Sequence, residues 1–398
     1  MGRRPLSRVL LTAARSLSCL ELARQLHGAG HTVYVAESFP NHVCRGSRAV
    51  RAEFVVPSIR FETARCIDAL VEIVKREEID VLIPTCEEVL YLAAEGNRFA
   101  GHCRLLTADF ETLLTLHDKW RFVQRMEEIG LQVPRTSLLT STSEVATRLA
   151  AGDGPSIVLK PVYSRFAART VICPNRPEHV SKVEPTPQEP WVAQQFLEGR
   201  QISTYSIAHA GRIAAHIAYP IVITVQGGGP TVVYEPILHP ASLAFVREMA
   251  AALSLTGQFG VDFIESSDGT LRAIECNPRP TGGVHCFDGT PDFTAALLGD
   301  FQDTLVPRDL STRMITSAML TDVPRGLRSL SAFRTWARLL RDGRGVVYRP
   351  NDLRPVLQQF AVAFYFMQLS RREAITIREA VTWDLAFDGS AVRACAAH

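Results

Sequence analysis

Two segments of this chain alternate core residues with oxygen-bearing side chains, and they constrain its fold more than any other feature. Residues 259–264 and 271–279 have the pattern of adjacent β-strands joined by a tight Ser-Ser-Asp-Gly turn. Because successive side chains of a strand point to opposite faces, Glu275 and Asn277 share one face, which Asp262 can join from the partner strand. The residues between them are mostly apolar, which favours a buried hairpin over a surface hairpin with ordinary acidic side chains.

The polar side chains of this hairpin suit a hard cation. Two carboxylates and a carboxamide supply only oxygen ligands, the type that Mg²⁺ prefers. Arg279 follows directly, where its guanidinium would lie beside an anion held by the metal. We therefore predict a metal site at Asp262, Glu275 and Asn277, with Arg279 facing the bound anion.

Lysine is rare in this chain, which has only four lysines (positions 75, 119, 160 and 182) among 43 basic side chains. Lys160 ends a buried strand, and Lys119 lies at the start of a helix. A polyphosphate needs point charges from more than one direction, and ammonium groups supply them. Either lysine alone is equally well explained as a surface residue with a buried stem, but the two together upstream of a metal-type hairpin favour phosphate binding.

The N-terminal part has a strand–helix–strand pattern over residues 8–37, which is typical of a doubly wound parallel sheet. Another buried strand at 81–84 is followed by Glu87 and Glu88, at the kind of strand end where open α/β sheets bind ligands. These carboxylates fit either a substrate amine or a solvated helix start. From about residue 135 the pattern changes to antiparallel strands, and beyond about residue 310 it is mostly helical.

Composition excludes several classes of function. A formal charge of +2 is too small to imply nucleic acid as the main partner. The most apolar C-terminal run, residues 360–367, is far shorter than the roughly 20 residues of a membrane span. Nine cysteines without a CxxC pair favour buried thiols in a reducing compartment, so we expect a cytoplasmic protein.

The motifs together resemble the ATP-grasp superfamily, over roughly residues 5–300. The resemblance is carried by His117-Asp-Lys119-Trp, Val158-Leu-Lys160-Pro, Gln194-Gln-Phe-Leu-Glu-Gly199, Asp262 and Glu275-Cys-Asn-Pro-Arg279. It is similar in type to carboxylate–amine ligases, with the architecture of biotin carboxylase and D-alanine ligase. It implies an N-terminal α/β parallel-sheet domain (1–115), then α+β ATP-grasp domains, namely a lid or small domain (116–200) and a large domain with the metal site (201–310). A mostly helical C-terminal region (311–398) follows.

The resemblance also implies roles for individual residues. Lys119 and Lys160 would bind ATP phosphates, with Lys160 and Arg279 acting in catalysis. The hinge strand would line the adenine pocket, and its residues are Gln194, Gln195, Phe196 and Leu197. Asp262, Glu275 and Asn277 would hold Mg²⁺, with two ions expected and Mn²⁺ as an alternative.

Two stretches depart from the family pattern. The segment 163–169, where a glycine-rich loop usually wraps the phosphates, contains no glycine, so Arg165 or Arg169 would supply charge instead. Gln194 and Gln201 stand where acidic residues commonly contact adenine or ribose, and glutamine retains the ability to hydrogen-bond a ribose hydroxyl.

The expected function is ATP-dependent ligation, in which a carboxylate is activated as an acyl phosphate and attacked by an amine. The expected partners are these two small molecules, and a homodimer is compatible with the sequence. One alternative is a phosphotransferase that stops at the phosphorylated product. Another is a nucleotide-binding regulator with a degenerate lid.

Overall fold

A computed structural model describes residues 6–164, 169–174, 176–225, 231–321 and 329–389. Its first sheet contains five parallel strands in the order β3-β2-β1-β4-β5. These strands are β1 Arg8–Thr12, β2 Thr32–Glu37, β3 Ala52–Val55, β4 Val81–Ile83 and β5 Arg104–Leu105. The helices of this part are α1 Leu17–Gly28, α2 Thr63–Arg76, α3 Glu88–Ala94 and α4 Phe110–His117, with a 3₁₀ turn at Gly96–Arg98.

The parallel sheet is covered on both faces, as its apolar strands require. Val9 and Leu11 of β1 point into a core that includes α1, whereas Leu10 points into the core that includes α2 and α3. Helix α1 starts after Ser16, whose side chain accepts a hydrogen bond from the Ser18 amide and so caps the helix. The carboxyl ends of β1, β2 and β4 therefore meet at one edge of the sheet.

A second sheet of four antiparallel strands, here called the lid sheet, has the order β6-β9-β7-β8. Its strands are β6 Thr136–Leu139, β7 Ile157–Pro161, β8 Val171–Ile172 and β9 Trp191–Gln195, with α6 Thr142–Ala150 and 3₁₀ turns at Gly154–Ser156 and Pro177–Val180. One face of the lid sheet packs Leu159, Trp191 and Ala193 into a small core with Val145 of α6. The opposite face carries Lys160 and is directed towards the third sheet.

The third sheet, here called the large sheet, is antiparallel in the order β11-β10-β13-β14. Its strands are β10 Arg200–His209, β11 Arg212–Pro220, β13 Gly257–Glu265 and β14 Leu271–Asn277. Nearby helices are α5 Lys119–Glu128, α7 Pro240–Ala252 and α8 Phe293–Leu298, with a 3₁₀ segment at Gly282–Phe287. Phe122 and Met126 of α5 enter the core of the large sheet, although the sequence assigned 116–200 to the lid domain.

The C-terminal region is mainly helical and returns to the N-terminal sheet. Its helices are α9 Thr316–Thr321, α10 Leu330–Asp342, α11 Arg354–Arg372 and α12 Ile377–Ala380. A small sheet, in the order β12-β15-β16, joins β12 Val233–Tyr234 to β15 Arg313–Met314 and β16 Arg344–Gly345. Residues 381–389, here called the C-terminal segment, follow α12. The fold class predicted from the sequence is confirmed.

None of the described helices is both long and apolar enough to cross a membrane. The eight cysteines within the described residues are all free thiols. The division into four domains with the boundaries given above stays a prediction.

Candidate active site

The hairpin of β13 and β14 brings its polar side chains together on one face. Asp262 and Glu275 are directly opposite each other in the strand register, and Asn277 lies two residues further along β14. The Asn277 amide donates a hydrogen bond from Nδ2 to Oδ2 of Asp262 over 3.2 Å. Cys276, between the two ligand candidates, points to the opposite face and into the core. The alternation predicted from the sequence is therefore present in the structure.

The two carboxyl groups of this hairpin, Asp262 and Glu275, have opposite pKa shifts that suit the binding of a cation. Burial, together with the negative charge of Glu275, raises the pKa of Asp262 to about 7. Burial would also raise the pKa of Glu275, but the positive charges of Lys119 and Lys160 outweigh that effect and lower it. The pair therefore holds a proton near neutral pH that a divalent cation could displace.

The donor set of the hairpin fits Mg²⁺. Asp262 and Glu275 provide carboxylate oxygens, and the Asn277 amide oxygen, which accepts a hydrogen bond from Arg279 Nη2 over 3.0 Å, has a second lone pair available. Within the described ranges, no group of three or more His, Cys, Asp and Glu side chains is placed to hold a metal ion. A metal site here accordingly depends on the carboxamide as its third protein ligand.

Lys119 approaches the hairpin from the start of α5. Asp118 caps this helix by accepting hydrogen bonds from two backbone amides of its first turn. The ammonium group of Lys119 donates to the carbonyl oxygens of Val162 and Ser164, over 3.3 and 3.1 Å, and lies 3.8 Å from Oε2 of Glu275. Lys119 is thus held between the lid sheet and the large sheet.

Lys160 approaches from the lid sheet. Its ammonium group donates to the carbonyl oxygen of Ile274 on β14 over 3.3 Å, and the residue is only 6% exposed. Burial lowers the pKa of Lys160 to about 8; the nearby Glu275 opposes this shift and Lys119 adds to it. Two buried ammonium groups lie beside one carboxylate whose pKa is lowered, that of Glu275. The excess positive charge would be stabilised by a bound anion.

Gln194 lies on the same face of the lid sheet as Lys160, because it is directly opposite Val158 in the strand register. Its side chain is buried and donates towards Thr136 Oγ1 (3.3 Å) and the carbonyl oxygen of Ile274 (3.5 Å). The Gln194 side chain therefore faces the large sheet, and its role in an adenine pocket stays a prediction.

In the rest of the predicted nucleotide pocket, some of the hydrogen-bonding groups already have partners within the protein. The backbone N–H of Gln195 donates to Arg135, and that of Phe196 donates to Ser156, so both donors are already used. Leu197 is half-buried at the end of the hinge. Gln201 is exposed on β10, two residues before Ser203, so the two share a face of the large sheet.

The two arginines predicted for the lid loop have different outcomes. Arg165 lies outside the described residues. Arg169 has a φ of 61°, its guanidinium lies 5.1 Å from the centre of the Trp191 ring, and it is 3.8 Å from Glu189. Because Trp191 packs on the lid-sheet face opposite Lys160, the structure does not bring Arg169 to the predicted phosphate site.

Arg279 is held by groups from different parts of the chain. Besides Asn277, its guanidinium donates to the Pro280 carbonyl oxygen over 3.4 Å and lies 4.0 Å from Oε1 of Glu87. Glu87 is buried, and its other oxygen accepts a hydrogen bond from the backbone N–H of Phe387 over 3.2 Å. The N-terminal sheet edge thus reaches Arg279 through Glu87, and the C-terminal segment contacts that same carboxylate.

Sequence reasoning missed several residues of this site. Ser203 lies opposite Asp262 in the register of β10 and β13, and its side chain stabilises the ionised form of that carboxyl. Tyr163 donates from its hydroxyl to Asp118 Oδ2 over 2.9 Å, and its ring packs against Phe387. Strand alternation could have indicated Ser203 if the pairing of β10 with β13 had been known. No local signal indicates Phe387, because its partners are distant in sequence.

Of the two carboxylates that follow β4, Glu87 reaches the site and Glu88 does not. Oε1 of Glu88 accepts hydrogen bonds from the Thr12 hydroxyl (2.7 Å) and from the backbone amides of Thr85 and Cys86. Glu88 therefore ties β4 to β1 inside the N-terminal domain.

The lid sheet and the large sheet thus face each other across two buried lysines and a carboxylate hairpin. Residues 116–283 match the family described as the ATP-grasp domain, so the chain carries an ATP-grasp domain and the resemblance seen in the sequence is confirmed.

Comparison with known proteins extends this likeness. The chain is 25% identical over 318 residues to the carbamoyl phosphate synthase large chain of Rubrobacter xylanophilus, a match that covers 74% of this chain and 29% of the relative. The N5-carboxyaminoimidazole synthetase of Staphylococcus aureus, solved with ADP, has a TM-score of 0.58 at 13% identity and covers 79% of this chain and 84% of its own. The L-amino acid ligase of Bacillus licheniformis has a TM-score of 0.55 at 16% identity, with 71% and 68% covered.

These similarities concern the fold and only part of the length of the sequence relatives. The two solved structures, at such low identity, share the fold with this chain. The chain spans less than a third of the length of the carbamoyl phosphate synthase chains it matches.

Proposed function

We propose that this protein is an ATP-dependent ligase that activates a carboxylate as an acyl phosphate and joins it to an amine. The observation that carries the proposal is the convergence of Lys119 and Lys160 on Glu275 between the lid sheet and the large sheet, with Arg279 beside Asn277 at the end of the same hairpin. Opposite charges are brought from separate elements into one buried place, which is the arrangement that phosphoryl transfer needs.

The two lysines would hold the ATP phosphates from opposite sides. Lys119 comes from α5 and Lys160 from the lid sheet, so a phosphate chain between them would replace the backbone carbonyls that they now contact. Asp262, Glu275 and Asn277 would hold two Mg²⁺ ions, with Mn²⁺ as an alternative. The metal would neutralise charge on the phosphate oxygens during transfer.

The nucleoside would lie along the hinge. The buried carboxamide of Gln194 would contact the base, and the exposed Gln201 would hydrogen-bond a ribose hydroxyl. Since the N–H groups of Gln195 and Phe196 already have partners, we assign recognition of the adenine edge to Leu197 and to the Gln194 side chain.

Bond formation would take place at Arg279. An oxygen of the acceptor carboxylate attacks the γ-phosphorus and ADP leaves, which gives an acyl phosphate. The amine nitrogen then attacks the acyl carbon, inorganic phosphate leaves with the bonding electron pair, and the nitrogen loses a proton. Arg279 would stabilise the negative charge in both steps, and Glu87 keeps its guanidinium oriented. The lid sheet would exclude water from the acyl phosphate.

The proposed partners are a small carboxylate and an amine, and neither is identified by the residues of the site. A cytoplasmic location is supported by the eight free thiols within the described residues.

A carboxylate screen with hydroxylamine as the nucleophile tests the proposal. Hydroxylamine converts an acyl phosphate into a hydroxamate, so ATP, Mg²⁺ and the right carboxylate should give equal amounts of ADP and hydroxamate. Glu265→Gln, on the same hairpin but paired with His239, is the matched control for Glu275→Gln and should retain the activity. ADP formation with a stable phosphorylated product would support the phosphotransferase alternative. Tight ATP binding without turnover for any carboxylate would support the regulator.

A further inference from the structure

Helix α11 carries a stripe of exposed apolar side chains. The stripe consists of Leu353 at the N-cap and then Leu357, Phe360, Phe364 and Met367, which are 52%, 67%, 74%, 57% and 40% exposed. Such large side chains are normally scattered singly on a protein surface, whereas here they line up along one helix. We call this row the α11 stripe.

The opposite face of α11 is already packed. Phe366 and Leu369 are buried against Phe39 and Ala380, so the helix is fixed to the N-terminal domain by one side. Residues 355–370 contain no Asp, Glu, Lys, Arg or His. A helix that is apolar on both sides is normally covered on both sides.

The spacing of the α11 stripe indicates what covers it. Its members follow one another at intervals of four, three, four and three residues. Over two heptads, this is the a/d spacing of a helix that packs its apolar seam against another helix.

The exposed area is also of the right size for a pair of helices. The five side chains together leave about as much area exposed as three fully exposed large side chains, or roughly 600 Å² at about 200 Å² each. Two copies of the stripe would therefore bury about 1,200 Å², which reaches the lower end of specific protein interfaces.

We propose that the α11 stripe is a homodimer interface, in which α11 of one subunit packs against α11 of a second copy around a two-fold axis. A two-fold contact pairs a surface with itself, and an uncharged apolar row can do so without like-charge repulsion. A membrane surface is less well matched, because basic residues lie only at the two ends of the helix, at Arg354, Arg371 and Arg372.

The experiment measures the mass of the full chain in solution by light scattering and sedimentation at about 10–100 µM protein. The wild type should have the mass of a dimer. Leu357→Glu and Phe360→Glu should raise the dissociation constant at least about tenfold, because each would bury a carboxylate in an apolar contact. Both positions are exposed, so circular dichroism and the melting curve of the monomer should show an intact fold.

Leu238→Glu is the matched control, since Leu238 is 60% exposed but lies outside α11. It should leave the dimer intact. A wild type that stays monomeric over this range would overturn the proposal, as would a dimer that survives both stripe substitutions or dissociates equally with Leu238→Glu. Monomers that bind anionic lipid vesicles through the stripe would also overturn it, in favour of a membrane-surface role.

Discussion

Removing the charge of Glu275 tests the assignment of the active site most directly. Glu275→Gln keeps the size of the side chain and its place opposite Asp262, while Lys119, 3.8 Å away, loses its carboxylate partner. The same change removes one of the two carboxylates that would hold the metal. The fold should survive, because the neighbouring core residues Ala273 and Cys276 of the same strand keep their packing.

The size of the effect follows from the two interactions lost. Each charge-assisted contact contributes on the order of 1.5–3 kcal/mol, so the two together would correspond to roughly 10²–10⁴-fold in rate. A third of the Glu275 side chain is exposed, and solvent screens its charge. We therefore expect turnover to fall by roughly 10²–10³-fold, towards the lower half of that range.

The assay is steady-state ADP release with the carboxylate that gives a hydroxamate, at saturating ATP and Mg²⁺. Melting temperature without nucleotide is measured in parallel to show that the variant is folded. Wild-type turnover in Glu275→Gln would refute the site. An equal loss in Glu265→Gln would show that the hairpin responds to any amide substitution, which would refute the charge argument.

Three further predictions concern the charges around this hairpin. Lys160→Met should raise the KM for ATP and lower kcat by at least about tenfold, whereas Lys182→Met, at an exposed position of the lid, should change neither in the same kinetic assay. Because the pKa of Asp262 is raised to about 7, its carboxyl loses its proton as the pH rises through 7. The rise in melting temperature caused by Mg²⁺ in a thermal-shift titration should therefore grow between about pH 6 and 8. This growth with pH should be absent in Asp262→Asn. Arg169→Ala should leave the KM for ATP within about twofold of wild type, because the Arg169 guanidinium lies against Trp191. A tenfold rise in KM would show that Arg169 contacts the ATP phosphates after all.

The metal-type hairpin could be predicted because its information is local. Strand alternation places Glu275 and Asn277 on one face, and a tight turn brings the two consecutive strands together as an antiparallel pair. The same holds for Lys160, since its strand has a buried apolar run that ends at the lysine. These features need no knowledge of distant parts of the chain.

The lid loop could not be predicted in the same way. The sequence shows two arginines where glycines are usual, but the direction in which each side chain points depends on the neighbouring strands. The structure places the Trp191 ring and Glu189 next to Arg169, and their attraction holds it on the outer face of the lid sheet. Charge in a segment therefore indicated a possible ligand contact without fixing the face on which that charge lies.

The C-terminal segment shows why the remaining part of the site had no sequence signal. Phe387 is about 300 residues from Glu87 in the sequence, yet its backbone N–H donates to that buried carboxylate, whose other oxygen lies beside Arg279. The Phe387 ring also packs edge-to-face against His117 and Tyr163, next to the residues that hold Lys119. A backbone donor contributes through its position alone, so neither the type of residue 387 nor its spacing could mark it. Because an unsatisfied buried polar group costs about 1–3 kcal/mol and a charged one costs more, the segment that closes on Glu87 belongs to the architecture that orients Arg279.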